Sequence, residues 1–404
     1  MSSNPILPTD IVERIVGHCG FPVVQAFRKS SNSLRNLVER VSPRSSITSV
    51  YMKSNRESIQ LHLITGNPKS ENAELLFPEG NRLNIEYRPH DEGCCVVLEK
   101  EGGQQSTKVL EDEEYTTLFW QDFEILIGYH GDALLEILHV DFEMVDGNTN
   151  SFSDVRYANY YLPFVRKLER LVEAHRLKVK NFAIGSWEYQ DLLRHLDPDS
   201  IERIQASCID RIPFQYRFRP SWDFMRFNLP QWNMAKHLEV QDFQIPYFNH
   251  MFHFETVKGY WMSVVEHDFN EIVESIFTSA NPAKQYSIEA TRFRFLENLR
   301  RIHGDSADNK WFFRSPGADM IVAFILTHDD IPVAFEVKAV SLEEVENVGR
   351  IRDWARIDFV RIERAIGNAG IVNDDEHDAD GNADDDGDIF GDNEAEDNDD
   401  LHVY

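Results

Sequence analysis

The chain has 404 residues, 42% of them hydrophobic and 12% aromatic, which is material for about two or three domains with a sizeable core. No window holds the roughly eighteen consecutive apolar residues of a membrane span, and the start MSSNPILPTD lacks the basic and apolar regions of a signal peptide. Net charge is −28, and residues 373–404 hold fifteen Asp/Glu with no Lys or Arg, so the remaining body stands near −13 and repels phosphate backbones, which argues against a general nucleic-acid binder.

The first forty residues read as a compact helical unit. Pro8 suits a first helical turn, where its missing N–H would be unpaired anyway, and Ile11, Ile15 and Val16 follow at helical spacing. Gly20, Phe21 and Pro22 break the pattern, and Val24, Phe27, Leu34 and Leu37 resume it. From about 45 to 150 the text turns strand-rich, with ITSVYM, SIQLHLI, LNIEYR, CCVVLEK and LEILHVDF separated by turn clusters such as TGNPKSEN and KEGGQQS.

After residue 155, helical patterns alternate with short strands. YYLPFVRKLERLVEAH predicts an amphipathic helix and LKVKNFAIG a strand; EYQDLLRHL predicts a helix and IERIQAS a strand. AKHLEVQDF comes next, then the strand TVKGYWMSV, the helix VEHDFNEIVESIFTS and the strand KQYSIEA. Strands recurring at this irregular interval predict an α/β, leucine-rich-repeat-like architecture. WFFRSP, MIVAFIL and PVAFEVK add strands in a mixed portion at 293–372, and the Asp/Gly/Asn-rich tail at 373–404 predicts disorder.

Two stretches resemble known families. LPTDIVERIVGHCGFPVVQAFRKSSNSLRNL, within residues 5–42, resembles the F-box: Leu7 and Pro8 take the opening pair, Asp10 the acidic position, and Ile15 and Val16 the paired aliphatics. Cys19 and Ser30 depart from its pattern, which usually has Leu and Val there. Residues 155–292 resemble the FTH domain that accompanies F-boxes in a large nematode-expanded family. The similarity lies in LKVKNFAIG, LLRHLDPDSIERI, LPQWNMAKHLEVQDF and HFETVKGYWMSVVEHDFNEIVESIFTSA. The resemblance implies a substrate-recruiting subunit of a cullin-RING ubiquitin ligase. Its F-box docks on a Skp-type adaptor and through it a cullin, with Leu7, Pro8, Ile11, Ile15 and Val16 as the adaptor-facing edge. Its FTH domain holds an unidentified protein target, and neither catalysis of its own nor a cofactor is expected.

Other residue groupings suggest chemistry and also have ordinary structural readings. Asp319 followed by Glu336-Val337-Lys338 is similar to the PD-(D/E)xK nuclease signature, in which two carboxylates hold a metal and the lysine steadies the attacking water. The competing reading is ordinary strand alternation with Val337 inward. A further alternative is a protein-binding scaffold outside any ligase. His250 and His253, with His237 and His267 nearby, lie in an aromatic-rich stretch without the glutamate of a zinc-protease helix, which favours packed or surface histidines, and the tail piece DADGNADDDGD lacks the glycine a calcium loop needs at its sixth position. Cys94 and Cys95 are adjacent, whereas Cys19 and Cys208 stand far off in sequence, which suits a reducing compartment and an intracellular site, cytoplasmic or nuclear.

Overall fold

The computed structural model describes residue 36 and residues 47–356, apart from 56, 66–80, 101, 143–154, 186, 208–227, 242–247, 280, 294, 307, 316–319, 329–332, 346–350 and 355. The F-box-like segment, save Asn36, and the acidic tail therefore lie outside the described residues. What is described is a mixed α/β fold built on one large sheet of fifteen strands. Among the described residues no helix is long and apolar enough to cross a membrane.

Five strands open the sheet: β1 (Ile47–Ser54), β2 (Ile59–Thr65), β3 (Asn81–His90), β4 (Gly93–Lys100) and β5 (Gln105–Glu111). They form an antiparallel meander in chain order. Helix α1 (Tyr115–His130) then lies against it. Its first turn is closed by Glu114, whose carboxylate accepts from the amides of Thr116 and Thr117 at 3.1 and 2.6 Å. Tyr87 of β3 is buried and donates its hydroxyl to Asp122 of α1 at 3.0 Å, so one polar bond fixes the helix on the meander.

The middle of the sheet is parallel. Strands β6 (Leu134–Phe142), β7 (Lys178–Ile184), β8 (Arg203–Ser207), β9 (His237–Gln241), β10 (Thr256–Val264) and β11 (Gln285–Phe293) lie side by side in chain order, and β6 also pairs in parallel with β1. Each strand is thus joined to its neighbour by the segment between them, so the units stack one on the next. Among these segments are α2 (Val155–His175), the short α3 (Pro230–Met234) and α4 (Glu266–Phe277). The segment EYQDLLRHL winds as 3-10 helix over Trp187–His195 rather than as the expected α-helix. Gln231 fastens its end, donating to the carbonyls of Arg194 and Leu196 at 3.0 and 2.7 Å. Trp232 beside it donates to the His250 carbonyl at 3.0 Å and sets its ring edge-on to Phe254.

Beyond β11 the sheet reverts to antiparallel pairing through β14 (Val333–Val340), β13 (Ile321–His328) and β12 (Lys310–Arg314), with α5 (Leu296–His303) between β11 and β12. The short β15 (Ile351–Asp353) pairs in parallel with β12 at the edge. One core runs through all of this: Leu61, Phe123, Leu138, Phe182, Ile204, Leu238, Ile288 and Phe324 belong to a single buried cluster. Within that core Lys284 is buried, and its ammonium donates to the carbonyls of Phe252 and Ser275 at 2.6 and 3.1 Å. A cation at the last carbonyls of α4 is favoured by the helix dipole.

Acid should loosen the fold. His139 on β6 is half-buried and His303 on α5 is buried, and desolvation holds both rings down to about 4, with the charge of Arg352 adding to the effect at His303. A ring kept neutral in the fold contributes stability that is complete above the ordinary histidine value of 6.5 and is lost as pH falls toward 4. For His139 the full loss is on the order of 3 kcal/mol. Urea midpoints measured at pH 7 and pH 4.5 should fall with acidification, and His139→Gln should show a smaller fall than the parent chain. Equal falls in both would remove His139 from the account.

Candidate functional site

The parallel strands have two unlike faces. Ile204, Leu238, Val257 and Ile288 point into the core from successive strands, and alternation sends their neighbours to the opposite side. There the register aligns Arg203, His237, Thr256 and Gln285 in one row and Gln205, Glu239, Lys258 and Ser287 in the next. All of these are partly or fully exposed, and all are polar. Toward β1 and β6 the same side is buried instead: Tyr51, Ile64 and Ile137 form a small apolar cluster of their own. The open polar surface of the parallel sheet therefore belongs to strands β8 to β11.

A depression of about 250 Å3 sits in that surface, lined by Gln241, Lys258, Tyr260, Ser287 and Glu289 with the backbone of Val240 and Gly259. A β-carbon at Gly259 would stand 2.9 Å from ring carbons of Trp261 and 3.1 Å from the Val240 carbonyl, so glycine is what allows this close packing beneath it. The Lys258 ammonium lies 3.2 Å from the Glu239 carboxylate, which also accepts from Gln241 Nε2 at 3.0 Å. Tyr260 and Thr291 share a hydroxyl–hydroxyl bond. Glu289 is exposed, opposite Tyr260 in register, with no hydrogen bond or ion pair among the described residues. None of this was singled out from sequence. The outward-pointing residues of HLEVQ, TVKGY and QYSIE are legible as alternation, but their meeting in one depression depends on three strands coming into register.

The adaptor-facing residues Leu7, Pro8, Ile11, Ile15 and Val16 lie outside the described residues. So does Asp319, while its two companions are placed. Val337 is buried, and Glu336 and Lys338 flank it on the opposite side of β14, 3.2 Å apart as an ion pair, with Gln285 donating to the Glu336 carboxylate. The two charges thus pair with each other along the outer side of one strand, and the neighbouring strand adds the hydrogen bond from Gln285. The histidines stay apart in role: His237 bonds Thr256 Oγ1 at 2.8 Å, His253 bonds the Trp232 carbonyl at 2.9 Å, and His267 pairs with Glu271 at 3.2 Å. Among the described residues no group of three or more His, Cys, Asp or Glu is arranged to hold a metal ion. Cys94 and Cys95 are free thiols, and burial pushes Cys94 up to about 11, with a further rise from Cys95, which leaves it a poor nucleophile at neutral pH. Cys19 and Cys208 lie outside the described residues.

Residues 163–299 match the FTH domain family, a span that contains β7 to β11 and the whole depression. F-box A protein 224 of Caenorhabditis elegans is 22% identical over 278 residues, which cover 67% of this chain and 62% of that protein. The aligned part is therefore less than two-thirds of the relative's own length. No solved structure matches the chain significantly.

Proposed function

We propose that this chain, whose residues 163–299 match the FTH domain family and which is similar to an F-box A protein, recruits a protein target to an SCF-type cullin-RING ubiquitin ligase inside the cell, in cytoplasm or nucleus. In this reading the F-box at 5–42 docks on a Skp-type adaptor and through it a cullin. The FTH region, read as a leucine-rich-repeat-like stack, holds the target on its open polar face. The chain brings target and charged conjugating enzyme together, which raises their effective concentration and needs no catalytic group of its own. The observation that carries this is the order of the two segments, F-box-like text followed by an FTH domain. The chain-order parallel strands support the stacked reading.

The test is assembly from purified parts. The full chain should form a stable complex with a recombinant Skp-type adaptor on gel filtration at micromolar concentration, and addition of the cullin should shift the complex again. Failure to bind the adaptor would remove the ligase reading. Binding of adaptor without cullin would favour a scaffold that acts outside a ligase.

A further inference from the structure

The charges around the depression differ in how far they are compensated. Lys258 is matched by Glu239, and Glu239 also accepts from Gln241, so this pair has its counter-charge within the protein. Glu289 has none among the described residues. It stands on the same wall as Tyr260, which the register places directly opposite. A carboxylate exposed on a polar strand is ordinarily just hydrated. Among the described lining residues, Glu289 is the charge without a counter-charge, and it faces a concave site.

A cationic guest would meet that carboxylate and gain an ion pair. An anionic guest would meet Glu289 and find Lys258 already engaged by Glu239. The volume of about 250 Å3 lies below the roughly 300–1,000 Å3 of small-molecule pockets and suits one long side chain of a docked protein. At longer range the body of the chain, with −13 over residues 1–372, attracts a basic partner. We infer that the target presents a lysine or arginine side chain to this depression, where Glu289 receives its charge beside Tyr260. The inference rests on the recruitment reading and names the chemistry of what is recruited.

The probe is a set of immobilised nonapeptides of Gly, Ser and Ala, identical except for a central Lys, Arg, Gln or Glu, and the sample is the full chain. Retention on the Lys and Arg peptides should exceed that on the Gln peptide by roughly two- to fivefold, the worth of one exposed ion pair. Glu289→Gln should abolish the preference. Glu297→Gln, the same charge change on exposed α5, should keep it. No preference, a preference for the Glu peptide, or a Lys/Arg preference that survives Glu289→Gln would overturn the inference. Adaptor binding is read on the same preparation, so a missing adaptor complex counts against recruitment and a missing cation preference counts against the Glu289 site.

Discussion

Leu7→Ala combined with Ile15→Ala is expected to weaken binding of the chain to a Skp-type adaptor by around a hundredfold. The F-box resemblance places both residues on an edge where docking depends on desolvated aliphatic anchors rather than on charge. Truncating one such anchor typically costs about 1 to 2 kcal/mol, so two together cost roughly 3 kcal/mol, which is the factor stated. Titration calorimetry of parent and double variant against the same adaptor measures it directly. The circular dichroism and cooperative unfolding of the variant should match the parent, because the core from Ile47 to Val337 is a continuous cluster with its own buried contacts. A target bound by the FTH region should then still bind, and no longer be ubiquitinated. Unfolding of the whole variant would make Leu7 and Ile15 part of the main core. Full-strength adaptor binding by a folded variant would end the F-box assignment.

The elements legible in the sequence are those whose periodicity is unbroken. TVKGYWMSV is β10 residue for residue, and VEHDFNEIVESIFTS encloses α4, because each has a clean apolar face bounded by polar ends. Helix α1 is not legible in the sequence although Phe119, Phe123, Leu126 and Ile127 recur at helical spacing. The paired threonines at its start and the adjacent Leu118, Phe119 and Trp120 look like another strand in a strand-rich stretch, and the deciding features are the Glu114 cap and the packing of the aromatic cluster against Phe164. Strand β5 was hidden for a different reason: it begins inside the turn-like KEGGQQS, and its first four residues are exposed and polar, with no apolar alternation to read. The site follows the same rule. Alternation tells which side chains leave the core, yet Gln241, Lys258 and Glu289 come from three strands whose register is a tertiary fact. The Glu336 and Lys338 pair shows the converse, since residues suggestive of metal chemistry form an ion pair along one strand, with Gln285 of the next strand donating to the same carboxylate.

Phe269→Ala is expected to lower stability by about 3 to 5 kcal/mol, the usual range for emptying a buried aromatic site. Phe269 on α4 is fully buried. Its ring stacks on Phe295 at 4.4 Å and meets Phe324 at 5.2 Å and Trp354 at 5.9 Å edge-on. These partners come from the start of α5, from β13 and from the segment after β15, so a single ring ties the last parallel units to the antiparallel strands that follow. A domain commonly has about 5 to 15 kcal/mol in total, so the loss would be a large fraction of what holds the fold. Urea unfolding should be followed by far-ultraviolet circular dichroism and by tryptophan fluorescence. Both midpoints should move down together, because β11 is hydrogen-bonded directly to β14, and β14 to β13, in one unbroken sheet. Phe269→Leu retains much of the volume and should lose markedly less. A shift below about 1 kcal/mol for the alanine variant would show that the surrounding rings close over the gap. Two separate transitions would show that strands β12 to β15 unfold apart from the parallel units, and the ring at 269 would then mark a boundary between two folding units rather than the interior of one.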